Sequence, residues 1–142
     1  MWRDKAFHAA LLAAPAFWVA LLYFIPVKTD WWWPVNYPVS YLTPALIYPV
    51  LEEIVFRGLI QELVYQHITK SMAGPLSVAN IITSVLFTAL HFIYHPPLWA
   101  ALVFIPSLVF GFFKDRYQTL TAPVILHVFY NAGYLWLFSG PK

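Results

Sequence analysis

Glu52, Glu53 and Arg57 lie within an otherwise apolar stretch that runs from about Tyr41 to Ile68. A stretch of that length suits a membrane-spanning helix, which needs ~20 mostly apolar residues. Each charge at membrane depth costs roughly 2.5–3.5 kcal/mol on insertion scales, so three of them need a reason. Glu53 and Arg57 are four residues apart with the acid first, which predicts an ion pair on one helix face. Glu52 points about 100° away and is therefore the candidate for chemistry, unless the charges only fix helix packing.

Three further polar side chains, His91, His127 and Asn131, lie in other apolar stretches. His127 and Asn131 are four residues apart and project from one face of a helix. A single histidine in a span more often forms a hydrogen bond between packed helices than acts as a catalyst. Each of these polar groups needs a hydrogen-bonding partner where water is absent. Because the groups lie on different spans, we expect the helices to pack so that these groups come together with Glu52.

Composition assigns the chain to a membrane class. Its 142 residues are 61% hydrophobic and 10% charged, with a mean hydropathy of +0.68. Soluble domains carry about 25% charged residues. The net charge of +2 gives no reason to expect nucleic acid as a partner, and the absence of cysteine excludes disulfides and a thiol nucleophile. We therefore expect an integral membrane protein whose partners are the lipid bilayer and a protein or peptide in it.

The hydrophobic pattern predicts an all-α fold, a polytopic membrane helix bundle with about five transmembrane helices in one domain, 1–142. Thr43-Pro44 opens the second span, and Pro49 within it should leave the Ala45 carbonyl without its helical partner. Pro106 should kink the fourth span. A loop at Val27–Val39 carries a triple tryptophan suited to the membrane interface. The predicted spans are Phe7–Pro26, Thr43–Ile68, Leu76–Tyr94, Leu98–Phe113 and Ala122–Phe138.

The basic residues predict the orientation of these spans, because cytoplasmic loops carry an excess of lysine and arginine. A cytoplasmic N-terminus places five basic residues inside and two outside. The inside set is Arg3, Lys5, Lys70, Lys114 and Arg116, and the outside set is Lys28 and Lys142. On this topology Glu52 and His91 lie toward the outer half of the bilayer. We expect a bacterial or archaeal inner or plasma membrane.

The order of these motifs resembles the CPBP family of intramembrane proteases, also called the ABI family, which includes CAAX prenyl endopeptidases. The matching motifs are Glu52-Glu53 with Arg57, then Phe87 with His91, then His127 with Asn131. Flanking residues agree, namely Pro49, Gly58, Ser84 and Pro123. The resemblance covers about Pro44 to Tyr134, within a catalytic core of about 44–138. Family members usually carry more helices, so this chain resembles a minimal member.

The resemblance implies a glutamic protease without a cofactor. Glu52 would be the general base and His91 would hold the water or pass on its proton, while His127 and Asn131 would donate hydrogen bonds to the oxyanion. Glu53 and Arg57 would orient the Glu52 helix. A zinc-dependent version, with Glu52, His91 and His127 as ligands, is the alternative chemistry. A non-catalytic immunity factor or transporter is the alternative class, although transporters often show internal repeats and none is visible here.

Overall fold

A computed structural model describes residues 1–28 and 30–140, and most of them lie in helices. The charge at Lys142, used above for orientation, lies outside the described residues. The helices are α1 (Lys5–Leu21), α2 (Trp33–Asn36), α3 (Pro38–Leu42), α4 (Tyr48–Glu53), α5 (Gln61–His67), α6 (Val78–His91), α7 (Pro97–Leu102), α8 (Phe104–Tyr117) and α9 (Thr121–Phe138). Two short strands, β1 (Met72–Ala73) and β2 (Leu76–Ser77), form an antiparallel hairpin.

The helices form two compact units. The first contains Met1–Leu51 and the C-terminal residues from Ile125 onward, and the second contains Glu52–Val124. The divisions fall within α4 and within α9, so each of these helices contributes to both units.

Helices α3, α4 and α5 are parts of one 30-residue helix, Pro38–His67, which includes two π-helical segments. The π-helical segments are Thr43–Ile47 and Ile54–Ile60. In a π-helix each carbonyl accepts from the N–H five residues later, and such segments are frequent at functional sites. The second segment begins directly after Glu53 and contains Arg57. Of the three ionisable residues of the motif, Arg57 thus lies within the π-helical segment, and Glu52 and Glu53 directly precede it.

Two helices, Pro38–His67 and Pro97–Tyr117, are long and apolar enough to cross a membrane by length and composition. The apolar helices α1 and α6 are shorter, at 17 and 14 residues. The expected all-α fold is confirmed, whereas a count of about five spans stays a prediction. The break in the fourth predicted span lies at Val103, one turn before the kink expected at Pro106, because α7 and α8 meet there.

In the first unit, α1 packs against α9 through a close approach of side chain to backbone. The Trp18 indole fills the space that a Cβ at position 133 would need, so Gly133 admits the ring. The Tyr130 hydroxyl donates to the Ala10 carbonyl at 2.7 Å. The α1 helix starts at Asp4, whose carboxylate accepts from the Ala6 N–H at 2.9 Å as an N-cap.

The predicted loop with the triple tryptophan is partly helical, and its third indole is buried. Trp33 is only 1% exposed, and its Nε1–H donates to the Trp136 carbonyl at 3.3 Å. Trp32 is 71% exposed and Trp31 is 52% exposed. An interfacial position therefore suits the first two indoles, while Trp33 is a core residue.

In the second unit, α6 and α8 pack closely where one has an asparagine and the other a glycine. The Asn80 amide occupies the space in which a Cβ at Gly111 would lie, and its Nδ2 donates to the Leu108 carbonyl at 2.9 Å. Ser77 caps α6 by accepting from the Asn80 N–H at 2.9 Å. The Ser77 hydroxyl also donates to Asp115 at 2.6 Å, which ties the start of α6 to the end of α8.

Candidate active site

The predicted ion pair is present and completely buried. Arg57 Nη1 lies 3.2 Å from Glu53 Oε1, and both side chains have no solvent exposure (0%). The four-residue spacing thus places the two side chains on one face of the helix, as predicted from the sequence. A buried charge without a partner costs several kcal/mol, so these two groups depend on each other.

Ser107 on α8 supplies the second set of contacts to the guanidinium. Arg57 Nη2 donates to the Ser107 carbonyl at 2.9 Å and to its hydroxyl oxygen at 2.6 Å. Ser107 is itself fully buried. These bonds connect the motif to α8, fifty residues further along the chain.

Two aromatic rings complete the surroundings of Arg57. Its Cζ lies 4.8 Å from the centroid of the Phe87 ring and 5.7 Å from that of Phe110. A guanidinium within about 6 Å of a ring gains roughly 0.5–2 kcal/mol, more where water is excluded. The Phe56 ring meets Phe87 edge to face at 4.9 Å. The cation is therefore held by carboxylate, carbonyl, hydroxyl and π-systems together.

Phe87 also contacts His91, so one ring touches both a charged group and a candidate catalytic group. The ring centroids of Phe87 and His91 are 4.4 Å apart. These two residues are one helical turn apart on α6, as their motif spacing predicts. Arg57 and His91 are thereby placed against the same aromatic side chain.

The contact of the His91 ring with the Phe87 carbonyl indicates which ring nitrogen carries the proton. Its Nδ1 lies 2.9 Å from the Phe87 carbonyl oxygen. A carbonyl can only accept, so Nδ1 carries the proton in that contact and Nε2 of the neutral ring keeps its lone pair. The exposed His95 ring stacks on His91 at 5.5 Å. Nε2 of the neutral ring can therefore accept a proton.

Glu52 differs from its neighbour in burial. It is partly exposed, whereas Glu53 is fully buried. Consecutive helical residues point about 100° apart, and this accounts for the difference. Glu52 and His91 both belong to the second unit, and both are partly exposed at the protein surface.

His127 and Asn131 belong to the first unit, on the part of α9 that follows Val124. His127 is nearly buried, at 5% exposure, and Asn131 is partly exposed. Asn131 Nδ2 donates to the Pro44 carbonyl at 3.2 Å. Among the described residues, neither unit contains a group of three or more His, Cys, Asp or Glu side chains able to hold a metal ion.

Several residues of this arrangement were not anticipated from the sequence. Ser107 follows Pro106 in an apolar run, and a polar residue beside a helix-breaking proline was the available signal. Gln61 continues the face of Arg57 by one turn, and its Nε2 donates to the Gly111 carbonyl at 3.1 Å and to Asp115 at 2.7 Å. A second buried polar contact to α8 therefore follows the first along the same helix.

The comparison with known families gives a match over most of the chain. The model of the family described as "Type II CAAX prenyl endopeptidase Rce1-like" matches residues 31–133, well over half of the 142 residues. All seven motif residues from Glu52 to Asn131 fall within the matched range. No curated protein and no solved structure matches the chain.

Proposed function

The chain belongs to the Rce1-like family of type II CAAX prenyl endopeptidases, and on that basis we propose that it is a glutamic intramembrane endopeptidase. The family acts on proteins at the membrane, and two helices here are apolar enough to span one. The proposed reaction is hydrolysis of a peptide bond near the C-terminus, or within the membrane segment, of a membrane-associated protein. Water activated by Glu52 together with His91 would be the nucleophile.

The observation that carries this proposal is the difference between the two adjacent glutamates. Glu53 is fully buried against Arg57, which is also bound to Ser107. Glu52 is partly exposed at the protein surface, which supports access of water to its carboxylate. A carboxylate in a partly dry site is a suitable general base for a water molecule. This difference supports a structural role for Glu53 and a role in the reaction for Glu52.

The proton transfers follow from the His91 tautomer. Water adds to the carbonyl carbon of the scissile bond, and its proton passes to Glu52. The tetrahedral intermediate then collapses, the C–N bond breaks, and the leaving nitrogen needs a proton. Because Nδ1 of His91 donates to the Phe87 carbonyl, Nε2 can take the proton from Glu52 and deliver it to the leaving nitrogen, which returns Glu52 to its carboxylate form. The resemblance assigns oxyanion stabilisation to His127 and Asn131, whose N–H groups are donors of the required kind.

Arg57 acts in this proposal through Glu53 and not through the substrate. Its contacts to Glu53, Ser107 and Phe87 fix the helical turn that follows Glu52. Phe87 in turn lies against His91. The buried Arg57 side chain would thereby hold in place both the helical turn that follows Glu52 and the Phe87 ring that contacts His91.

The direct test is chemical identification of a product. Membranes from cells with and without this chain are compared by mass spectrometry, searching for membrane proteins whose C-terminus is shortened only when the chain is present. The purified chain in liposomes must then cut a synthetic peptide that spans the same site. We expect one defined new C-terminus. Identical sets of C-termini in both membranes, with no cleavage in liposomes, would contradict an endopeptidase function.

A further inference from the structure

The helix that leads to Glu52 has a gap in its backbone hydrogen bonding. The segment Thr43–Ile47 is π-helical, and the Tyr48 N–H donates to the Thr43 carbonyl five residues earlier. In the same winding the Pro44 carbonyl would accept from the N–H of residue 49. Residue 49 is proline and has no N–H. The sequence alone predicted this gap at Ala45, because an α-helical register was assumed.

A side chain of α9 provides the missing donor. Asn131 Nδ2 lies 3.2 Å from the Pro44 carbonyl oxygen. Both residues belong to the first unit. Pro49, at the other side of the gap, is fully buried. The bond from Asn131 to the Pro44 carbonyl is part-buried. A carbonyl that is withdrawn from water and has no donor costs free energy, up to that of a lost hydrogen bond when it is fully buried, and the amide reduces that cost.

We propose that Asn131 is a positioning residue whose amide replaces the backbone N–H that Pro49 lacks. Pro49 lies three residues before Glu52 in α4. The bond between Asn131 and the Pro44 carbonyl therefore fixes the helical turn that directly precedes Glu52. An asparagine amide has two N–H groups, and the bond to Pro44 uses one of them. The inference deepens the proposed function. Only the measurement of kcat rests on that function, and the measurement of melting temperature does not.

The geometry offers a substitution that removes the need for Asn131. Pro49→Ala restores an N–H at position 49. If the π winding persists, this N–H reaches the Pro44 carbonyl; if the helix returns to α winding, the Tyr48 N–H reaches it. In either register the carbonyl gains a donor from its own helix. The loss of stability caused by removing the Asn131 amide should then be smaller in the Pro49→Ala background.

The experiment is a double-mutant cycle on the full-length chain in detergent and in liposomes. In the natural background, Asn131→Ala should lower the melting temperature by roughly 2–8 °C, as expected for one unsatisfied carbonyl. It should also lower kcat by roughly 10–100-fold through misplacement. In the Pro49→Ala background the loss in melting temperature should be less than half as large. The loss in kcat should shrink by the part due to misplacement, while the part due to the proposed oxyanion donor remains.

A matched control removes a different bond between the same parts of the first unit. The Tyr41 hydroxyl donates to the Ala132 carbonyl at 3.1 Å, and this bond has no connection with the gap at Pro49. Tyr41 is eight residues from Pro49, about 12 Å along a helix, so its effect should be additive. Tyr41→Phe should therefore lower the melting temperature equally in both backgrounds.

Each outcome decides the inference. Equal losses from Asn131→Ala in both backgrounds would overturn it, because the amide would then act elsewhere than on Pro44. A smaller loss in melting temperature with an unchanged loss in kcat would overturn the positioning role and leave a structural bond. If the natural chain had no peptidase activity, the proposed function would fail, and the melting temperatures would still test the bond.

Discussion

Arg57 Nη2 lies 2.6 Å from the hydroxyl oxygen of Ser107 and 2.9 Å from the carbonyl oxygen of the same residue. One buried serine on α8 therefore supplies two acceptors to the cation of the glutamate motif. The contact joins the helix that follows Glu52 to a helix far away in the chain. It explains how a charged side chain persists in a position without solvent exposure.

Ser107→Ala should lower the free energy of unfolding by about 1.5–3 kcal/mol, since it removes a hydrogen bond from a charged donor. Chemical unfolding in detergent measures the change. Ser84→Ala is the matched control, because Ser84 is equally buried and its hydroxyl donates to the neutral Asn80 Oδ1 at 3.1 Å. That control should cost only about 0.5–1.5 kcal/mol. A smaller cost at Ser107 than at Ser84 would contradict the role given to this contact.

Arg57→Ala should destabilise the fold by roughly 3–5 kcal/mol and abolish activity, because it leaves Glu53 in a dry site without its cation. Thermal unfolding and a cleavage assay on the same preparation measure both effects. The combined change Glu53→Gln with Arg57→Met should be better tolerated, since it removes the pair together. An Arg57→Ala protein that folds normally and lacks activity would instead place Arg57 in contact with substrate.

Local features of the site could be predicted from the sequence, and distant ones could not. The Glu53–Arg57 pair and the Phe87–His91 contact depend only on four-residue spacing within one helix. The partner of Arg57 on α8 is fifty residues away, and no periodicity identifies it. A serine in an apolar run indicates a buried polar contact but does not specify the other group.

The same distinction applies to the fold. The apolar runs placed the helices well, and α9 begins at Thr121, one residue before the predicted start at Ala122. In the π-helical segment around Pro44, the carbonyl of that residue accepts from Asn131 on another helix, a partner that periodicity within one helix does not identify. The α-helical register assigns the donor missing at Pro49 to the Ala45 carbonyl, so the contact between the Pro44 carbonyl and Asn131 was not predicted.

Activity should survive removal of divalent metals, because the proposed water is activated by Glu52 and His91 alone. Dialysis of the purified protein against a strong chelator, followed by the cleavage assay, measures this. In a parallel sample, zinc is added back to the dialysed protein before the assay. Loss of activity on dialysis that zinc restores would favour the zinc-dependent alternative, with Glu52, His91 and His127 as the ligands.

The distribution of basic residues predicts that the N-terminus is cytoplasmic and that water reaches Glu52 from the outer side. The chain has no cysteine, so single cysteines report position without background. Trp32→Cys and Pro97→Cys should react with a membrane-impermeant thiol reagent on intact cells, and Thr119→Cys should react only after lysis. All three positions are exposed. Reaction at Thr119 alone on intact cells would reverse the topology and the side from which a substrate is cut.

The most direct test of the account is the rate of cleavage by the purified Glu52→Gln protein. The amide keeps the shape of the side chain but is a poor base, so kcat should fall by roughly 10²–10⁴-fold while the melting temperature stays near that of the natural chain. Glu62→Gln is the control, because Glu62 forms a partly exposed pair with Lys114 at 3.0 Å, and it should retain activity. Cleavage by folded Glu52→Gln at the natural rate would contradict the assignment of Glu52 as the general base.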